Sequence, residues 1–258
     1  MQQIHDWIIP QWTAPANIRA VTTSRIGGHS QSEYSSMNLG DRTEDNMISI
    51  AKNRNELYKV LDLPCEPTWL YQSHSTKVVR LYEDTTFNQK ADASYTTAHN
   101  KICAVLTADC LPVLFCAKDG SVVSAVHAGW RGLANGILET TISTLLHFGK
   151  CSPENLLVWL GPAIGPGLFE VGEDVRVAFI DHSARAKKAF TRLPSLDKSA
   201  NKKWLADIYM LARQRLDDMG VREIFGSGFC TATQYEKFYS YRRDVKTGRM
   251  ASLIWMTE

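Results

Sequence analysis

Apolar residues in this chain fall into short runs separated by turn-forming clusters, not into one sustained period. Residues 18–23 alternate weakly and predict a first strand. Residues 45–61 space Met47, Ile50, Leu57 and Leu61 as a helix would, and Pro64 and Pro67 close that segment. Residues 68–80 predict strand, turn and strand again, with His74 at the polar turn. Residues 82–100 are polar, with few periodic apolar positions, and predict a surface path of loop and short elements, interrupted by Ala91-Asp92-Ala93. The stretch 101–132 is different. Two runs rich in Val, Ala, Leu and Cys are joined at Lys118-Asp119-Gly120, a turn signal, and predict two buried strands as a hairpin or close sheet neighbours.

The second half alternates element types. Leu133, Ile137, Leu138, Thr141, Ile142, Leu145 and Leu146 share one helical face that ends at Gly149. A short strand at 156–160 feeds a loop at 161–167 too rich in Gly and Pro to be regular. Helix is predicted over 169–180, with Glu173 and Asp174 in its first turn, where they suit the dipole. Residues 181–203 are polar and predict a solvated helix and loop. Trp204, Leu205, Ile208, Leu211, Ala212 and Leu216 predict a further amphipathic helix ending at Gly220. Strands at 224–230, 238–243 and 250–256 complete the pattern, with a turn at 246–248. No repeat or linker interrupts it, and strands and helices do not alternate strictly. The expected class is therefore α+β, a single domain over 1–258 with mixed β-sheets and packed helices.

Composition narrows the function classes. The chain has 258 residues, 44% of them hydrophobic, and a formal charge of +2 from 29 basic and 27 acidic residues. A near-neutral, evenly mixed charge gives no electrostatic reason to expect nucleic acid as the main partner. The first residues lack a basic n-region and break at Pro10, and no later run approaches the roughly 18 apolar residues of a membrane span. No membrane partner is expected, and the protein should be cytoplasmic. The six cysteines form no C-x-x-C pairs, and several sit inside apolar runs, as free thiols of a reducing compartment do.

Two residues in the central stretch are not explained by apolar packing. Cys110 follows Asp109 in the first run, and His127 ends the second, just before Gly129-Trp130-Arg131-Gly132. A thiol and an imidazole can act as nucleophile and base, or as ligands of a borderline-soft metal. They can also be an ordinary core cysteine and a strand-end histidine. His74 adds a third candidate. A Cys–His₂ set from separated segments would leave one tetrahedral position of zinc open, as catalytic zinc sites do. The deaminase signature H-x-E with P-C-x-x-C is absent, as are the clustered His and Cys motifs of a cupredoxin-type oxidase. The helix start after Gly132 puts free N–H groups near His127, a place for an anion. The loop Ser24-Arg25-Ile26-Gly27-Gly28 sets a fixed charge beside two glycines.

The blocks Gln72-Ser73-His74, Thr107-Ala108-Asp109-Cys110-Leu111-Pro112 and His127-Ala128-Gly129-Trp130-Arg131-Gly132 resemble the signatures of the laccase-domain family. That family is also known as multicopper polyphenol oxidases, purine nucleoside phosphorylases or peptidoglycan editing factors. Further similar blocks are Ser24 to Gly28, Ser36-Met37-Asn38-Leu39-Gly40, Gly161-Pro162-Ala163-Ile164-Gly165-Pro166, Phe238-Tyr239-Ser240-Tyr241-Arg242-Arg243-Asp244 and Thr247-Gly248-Arg249. They run in order over nearly the whole chain. The sequence departs from the pattern at His29, where similar proteins usually carry a small apolar residue.

The resemblance implies an α+β domain related to cysteine-hydrolase-like toxins, with zinc held by His74, Cys110 and His127 and copper as the alternative ion. It implies phosphorolysis of adenosine, inosine and methylthioadenosine, with some adenosine deamination. The partners are then small molecules, a purine nucleoside and phosphate. Phosphorolysis needs a site for phosphate and a proton or polarising charge for the leaving base. Arg25, Arg131, Arg242 and Arg243, with Asn38 beside them in the matched loops, are the candidates for substrate and phosphate. Asp109 is a candidate acid, partner of a metal ligand, or structural cap. Alternatives are editing of a muramyl-peptide precursor through Cys110 or zinc, copper-dependent polyphenol oxidation, and a non-catalytic zinc-containing binding protein.

Overall fold

The computed structural model describes residues 5–82, 89–149, 151–194 and 202–258. In chain order it forms β1 (Ile18–Thr22), α1 (Met47–Val60), β2 (Val78–Arg80), β3 (Ala93–Thr96), β4 (Cys103–Thr107), β5 (Leu111–Ala117) and β6 (Val123–Ala128). There follow α2 (Trp130–Ala134), α3 (Ile137–Phe148), β7 (Leu156–Leu160), β8 (Glu170–Gly172), α4 (Glu173–Ile180), β9 (Phe190–Arg192) and β10 (Lys203–Ala206). The chain ends with α5 (Ile208–Asp218), β11 (Glu223–Gly226), α6 (Tyr241–Asp244) and β12 (Met250–Met256). The class is α+β, as expected. Among the described residues no helix is long and apolar enough to cross a membrane.

A six-stranded mixed sheet in the order β11-β7-β5-β6-β3-β2 packs face to face on a three-stranded antiparallel sheet, β1-β12-β4. Side-chain alternation along β5 shows the layering. Leu111, Val113 and Phe115 enter a core with Leu138, Ile142 and Leu145 of α3 and Leu211 and Leu216 of α5. Leu114 and Cys116, on the opposite face, meet Cys103 and Val105 of β4 and Ile254 and Met256 of β12. Beyond the small sheet, Ala104, Leu253 and Trp255 pack with Leu57 of α1. Both faces of the central strands are buried, which is why their sequences are almost continuously apolar. A third sheet, β8-β10-β9, lies beside α4.

Several elements differ from the sequence expectation, each for a local reason. The run at 101–117 is not one strand. β4 pairs with β12, whereas β5 pairs with β6 and β7, and the switch between sheets falls at Asp109, whose φ is 85°. The hairpin at Lys118-Asp119-Gly120 is present as expected, joining β5 to β6. The helical face from Leu133 to Leu146 is shared by two helices, broken at Gly136 with φ 94°. Glu170 to Gly172 form a strand before α4, and Trp204 and Leu205 pair in β10 with β8 and β9 instead of opening a helix. The Asp207 side chain then caps α5 at the Met210 N–H.

The polar segment 82–100 hides a buried strand. β3 sits between β6 and β2; the Thr96 hydroxyl bonds the Leu81 carbonyl, and the Ser94 carbonyl accepts the Ser124 hydroxyl, whereas the buried Ser94 hydroxyl has no hydrogen-bond partner among the described residues. Residues 83–88 of that segment lie outside the described residues. Within 68–80 only β2 is a strand, and Thr68 and Tyr71 contribute single bridges. Residues 238–243 are not a strand: the Ser240 side chain caps the short α6. β11 ends at Gly226, earlier than expected. The solvated helix expected in 181–203 is a 3-10 helix, Ala184–Ala189, followed by β9, and 195–201 lie outside the described residues.

Gly136 is a position where backbone geometry alone demands glycine. A Cβ there would meet nothing closer than Glu139 Oε2 at 3.5 Å, so the cost of a side chain is the left-handed conformation itself. Gly136→Ala is expected to lower stability by about 1 kcal/mol, read as a reduced denaturation midpoint with unchanged slope.

Candidate metal centre and active-site cavity

His74, Cys110 and His127 come from three separate segments and meet, because a fourth residue collects them. Asp92, just before β3, is fully buried. Its carboxylate accepts the backbone N–H groups of Ser73, His74 and Ser75, at 3.2, 2.9 and 2.7 Å, and the Ser75 hydroxyl at 2.7 Å. These bonds fold the 73–75 loop tightly enough that His74 takes a φ of 60°. Asp92 Oδ1 also lies 2.9 Å from His127 Nδ1, and the Asp92 carbonyl accepts the His127 N–H at 2.7 Å. One carboxylate thus fixes two of the three ring and thiol positions.

Cys110 is delivered by the sheet switch. Asp109 accepts the Thr231 hydroxyl and the Arg242 N–H, each at 2.6 Å, and its carbonyl accepts the Ile164 N–H, so the residue before Cys110 is tied to two loops and α6. The Cys110 sulfur lies 3.6 Å from His74 Nε2, and the ligand atoms of all three residues are within 4.8 Å of one another. The two imidazole rings meet edge-on, their centroids 4.8 Å apart at 72°. Gly129 makes this approach feasible. A Cβ there would stand 2.4 Å from His74 Cδ2 and 3.1 Å from the Cys110 sulfur.

The donor set fits a tetrahedral ion. Ligand bonds of 2.0–2.3 Å place neighbouring donor atoms roughly 3.5 Å apart, close to the Cys110–His74 separation. With Nδ1 of His127 engaged by Asp92, its Nε2 remains as the ligand atom, the carboxylate–histidine–metal arrangement. In the metal-free protein the same geometry creates an ion pair. Burial pushes the Cys110 thiol up, but the His127 and His74 imidazoles outweigh it and hold it at about 6. Burial pulls His127 down, but the Cys110 thiolate and Asp92 raise it to about 9. Asp92 is held well below the usual carboxylate range by His127 and Ser75, against the opposing effect of burial.

The triad opens on a cavity of about 500 Å³. Trp130, Ile164, Phe169 and Ile208 supply apolar walls, and Arg42, Arg131, Arg242 and Arg249 supply positive charge. Of the residues expected from sequence, Arg131, Arg242 and Asp109 line it together with the triad. Arg25, Asn38, Arg243 and His29 do not. Arg25 donates to the carbonyls of Ser35 and Tyr235, and Arg243 to those of Thr231, Ala232 and Phe238. Asn38 is fully buried and bonds Gly40, Thr43, Asp45 and Arg249. The His29 N–H is held by Asn53. The helix start near His127 is the five-residue α2, too short to carry much of a dipole. Asp92, Arg42 and Arg249 were not among the site residues expected from sequence. A lone carboxylate between two alanines, ahead of a strand, was the available sign of Asp92.

These features belong to a known class. Residues 19–257 match the family described as multi-copper polyphenol oxidoreductase laccase, and the chain belongs to that family. Curated relatives include proteins named purine nucleoside phosphorylase YfiH from Shigella flexneri and Escherichia coli (strain K12). Each is 49% identical over 249 residues, covering 96% of this chain and 98% of the relative. Among solved structures, protein NMB0706 of Neisseria meningitidis superposes with a TM-score of 0.90 at 43% identity, covering 98% of this chain and all of that one.

Two outcomes follow from the geometry. Asp92→Asn weakens the acceptor that fixes His127 and the 73–75 loop, and should cut metal affinity roughly 10- to 100-fold in a chelator competition. In metal-depleted protein the folded thiol of Cys110 titrates below its unfolded value, so its thiolate forms as pH rises through about 6. Alkylation of Cys110, followed by mass spectrometry, should climb through that pH and level off near pH 8. Cys103 and Cys116, pushed up to about 12 by burial, should stay unmodified.

Proposed function

We propose that this chain is a zinc-dependent purine nucleoside phosphorylase of cytoplasmic location, a single domain over 1–258, acting on adenosine, inosine and methylthioadenosine, with adenosine deamination as a secondary activity. The observation that carries the reading is the His74–Cys110–His127 triad opening on a cavity that combines apolar walls with four arginines. The names of the relatives support the same reaction class. Such a cavity suits a ligand with a flat, apolar-faced base at one end and a dianion at the other.

Within this reading each group has a distinct task. His74, Cys110 and His127 would hold the zinc ion, which would supply Lewis-acid polarisation at the cavity. Trp130 and Phe169 offer aromatic faces for the purine. Arg131 and Arg242, both exposed at the cavity, offset the charge of phosphate as it attacks the sugar carbon. Asp109 has both carboxylate oxygens engaged, and its task is to orient the Arg242 backbone at the cavity, not to carry a proton to the base. Asp92 keeps Nδ1 of His127 occupied, which holds the ring in the orientation the cavity requires.

A second reading has its own support. Cys110, His127 and Asp92 together have the composition of a thiol nucleophile, its base and an orienting carboxylate. That arrangement, reminiscent of cysteine-hydrolase-like folds, fits amide cleavage in a muramyl-peptide precursor. Metal loading discriminates the two. The phosphorylase reading expects about one zinc per chain and base release from adenosine and inosine that depends on phosphate. His74→Ala should lower both zinc content and phosphorolysis, by roughly 100-fold or more in rate if the metal supplies several kcal/mol of charge stabilisation. Full phosphorolysis by a metal-free His74→Ala protein would sink the zinc-dependent reading. Amide cleavage by metal-free protein, lost in Cys110→Ser, would favour the hydrolase. Stoichiometric copper with oxygen uptake on phenols would favour the oxidase.

A further inference from the structure

Of the four arginines at the cavity, three are surface groups, and one is built in. Arg42, Arg131 and Arg242 are exposed. Arg249 is half-buried, immediately before β12, and its backbone is fixed on both sides. The Asn38 side chain accepts the Arg249 N–H at 2.9 Å, and the Arg249 carbonyl accepts the Leu39 N–H at 3.1 Å. The stem packs over Gly40 so closely that a Cβ there would lie 2.7 Å from Arg249 Cγ. Its Nη1 donates to the carbonyls of Thr247 and Gly248, at 2.7 and 2.9 Å. Among the described residues no carboxylate lies in ion-pair range of it, and no protein acceptor meets its Nε or Nη2.

A guanidinium that has lost much of its water, is held in one orientation and lacks a counter-ion is an uncompensated cost in the empty protein. Burial alone draws Arg249 below the ordinary arginine range, with Cys110 and Asp109 acting in the opposite sense. Natural sites keep such a cost where a ligand removes it. The unmet edge belongs to a side chain that lines the cavity, and a planar fork matches two oxygens of one anion.

We propose that Arg249 is the anchoring contact for the oxyanion in this cavity, binding inorganic phosphate through its Nε and Nη2 edge, with Asn38 positioning it. The inference rests on the phosphorylase reading for its role in turnover, but it concerns anion binding, which is measurable without turnover. It also gives Asn38 a task different from direct substrate contact. The four-way bonding of Asn38 ties Arg249 to the 40–43 loop, which contributes Arg42 and Thr43 to the same cavity.

The test is calorimetric titration of metal-loaded full-length protein with inorganic phosphate. Wild type should bind, and Arg249→Met should bind roughly 10- to 100-fold more weakly, the loss expected for one charge-assisted contact. Arg249→Lys, which keeps the charge but not the fork, should fall between them and serves if the Met variant does not fold. Lys246→Gln removes a nearby exposed cation, paired with Glu44, and should bind as wild type does. In steady state, the KM for phosphate should rise in the Arg249 variants by the same factor while that for nucleoside holds. Undiminished phosphate binding in both Arg249 variants, or none in wild type, overturns the inference. Arg249-dependent phosphate binding without any base release leaves the anion contact standing and removes the phosphorylase reading instead.

Discussion

The site depends on one buried carboxylate. Asp92 gathers three backbone N–H groups, a hydroxyl and an imidazole, and so ties the 73–75 loop to the end of β6 by hydrogen bonds. A carboxylate without such partners could not remain charged at complete burial. With them it holds a positive-φ histidine and a strand-end histidine edge to edge. The same bonds that stabilise Asp92 determine the spacing of the two imidazoles. Folding energy and ligand geometry are therefore not separable here: losing one member of a buried charged pair typically costs about 3–5 kcal/mol, and in this case would also release the site.

The third member of the candidate triad, Cys110, is placed by the topology. The chain passes repeatedly between the two stacked sheets, and between β4 and β5 it does so within three residues. At this crossing Asp109 takes a left-handed conformation, with its carboxylate bound to Thr231 and the α6 backbone. Cys110, next in line, is consequently presented at the margin between sheets and not inside either one. Cys103 and Cys116, which lie within strands, are buried thiols whose charge is suppressed. The chemical distinction between these cysteines comes from position relative to the sheet switch.

That origin explains what could be seen in the sequence. His74, Cys110 and His127 stood out because each is a poor choice for its local surroundings, whether turn, apolar run or strand end. The hairpin at Lys118-Asp119-Gly120, the strand at 156–160 and the terminal strand were legible from apolar runs bounded by turn residues. β3 was not, because its short polar residues Ser94 and Thr96 break the apolar pattern; Thr96 is reconciled with burial by a hydrogen bond to the distant Leu81 carbonyl, which periodicity does not register. The boundary between β4 and β5 was invisible for a similar reason: both are apolar on both faces, so only the partner strands distinguish them. Asp92 was noticed as an interruption, yet its role requires knowing which loop folds over it.

The arginines show the limit of reading charge from motifs. A guanidinium carries five donors, and its availability to a ligand depends on how many the protein itself consumes. Arg25 and Arg243 spend theirs on backbone carbonyls and close loops, so their positive charge serves local structure. Arg249 spends one nitrogen on its own turn and lines the cavity. In sequence these residues are equivalent: each is an Arg in a glycine- or aromatic-rich block. Their difference is the direction of a few carbonyl groups, which the packing of Tyr239, Asn38 and the 231–232 turn decides. Charge type is thus written in the sequence, whereas its assignment to structure or to ligand emerges only when the acceptors around it are counted.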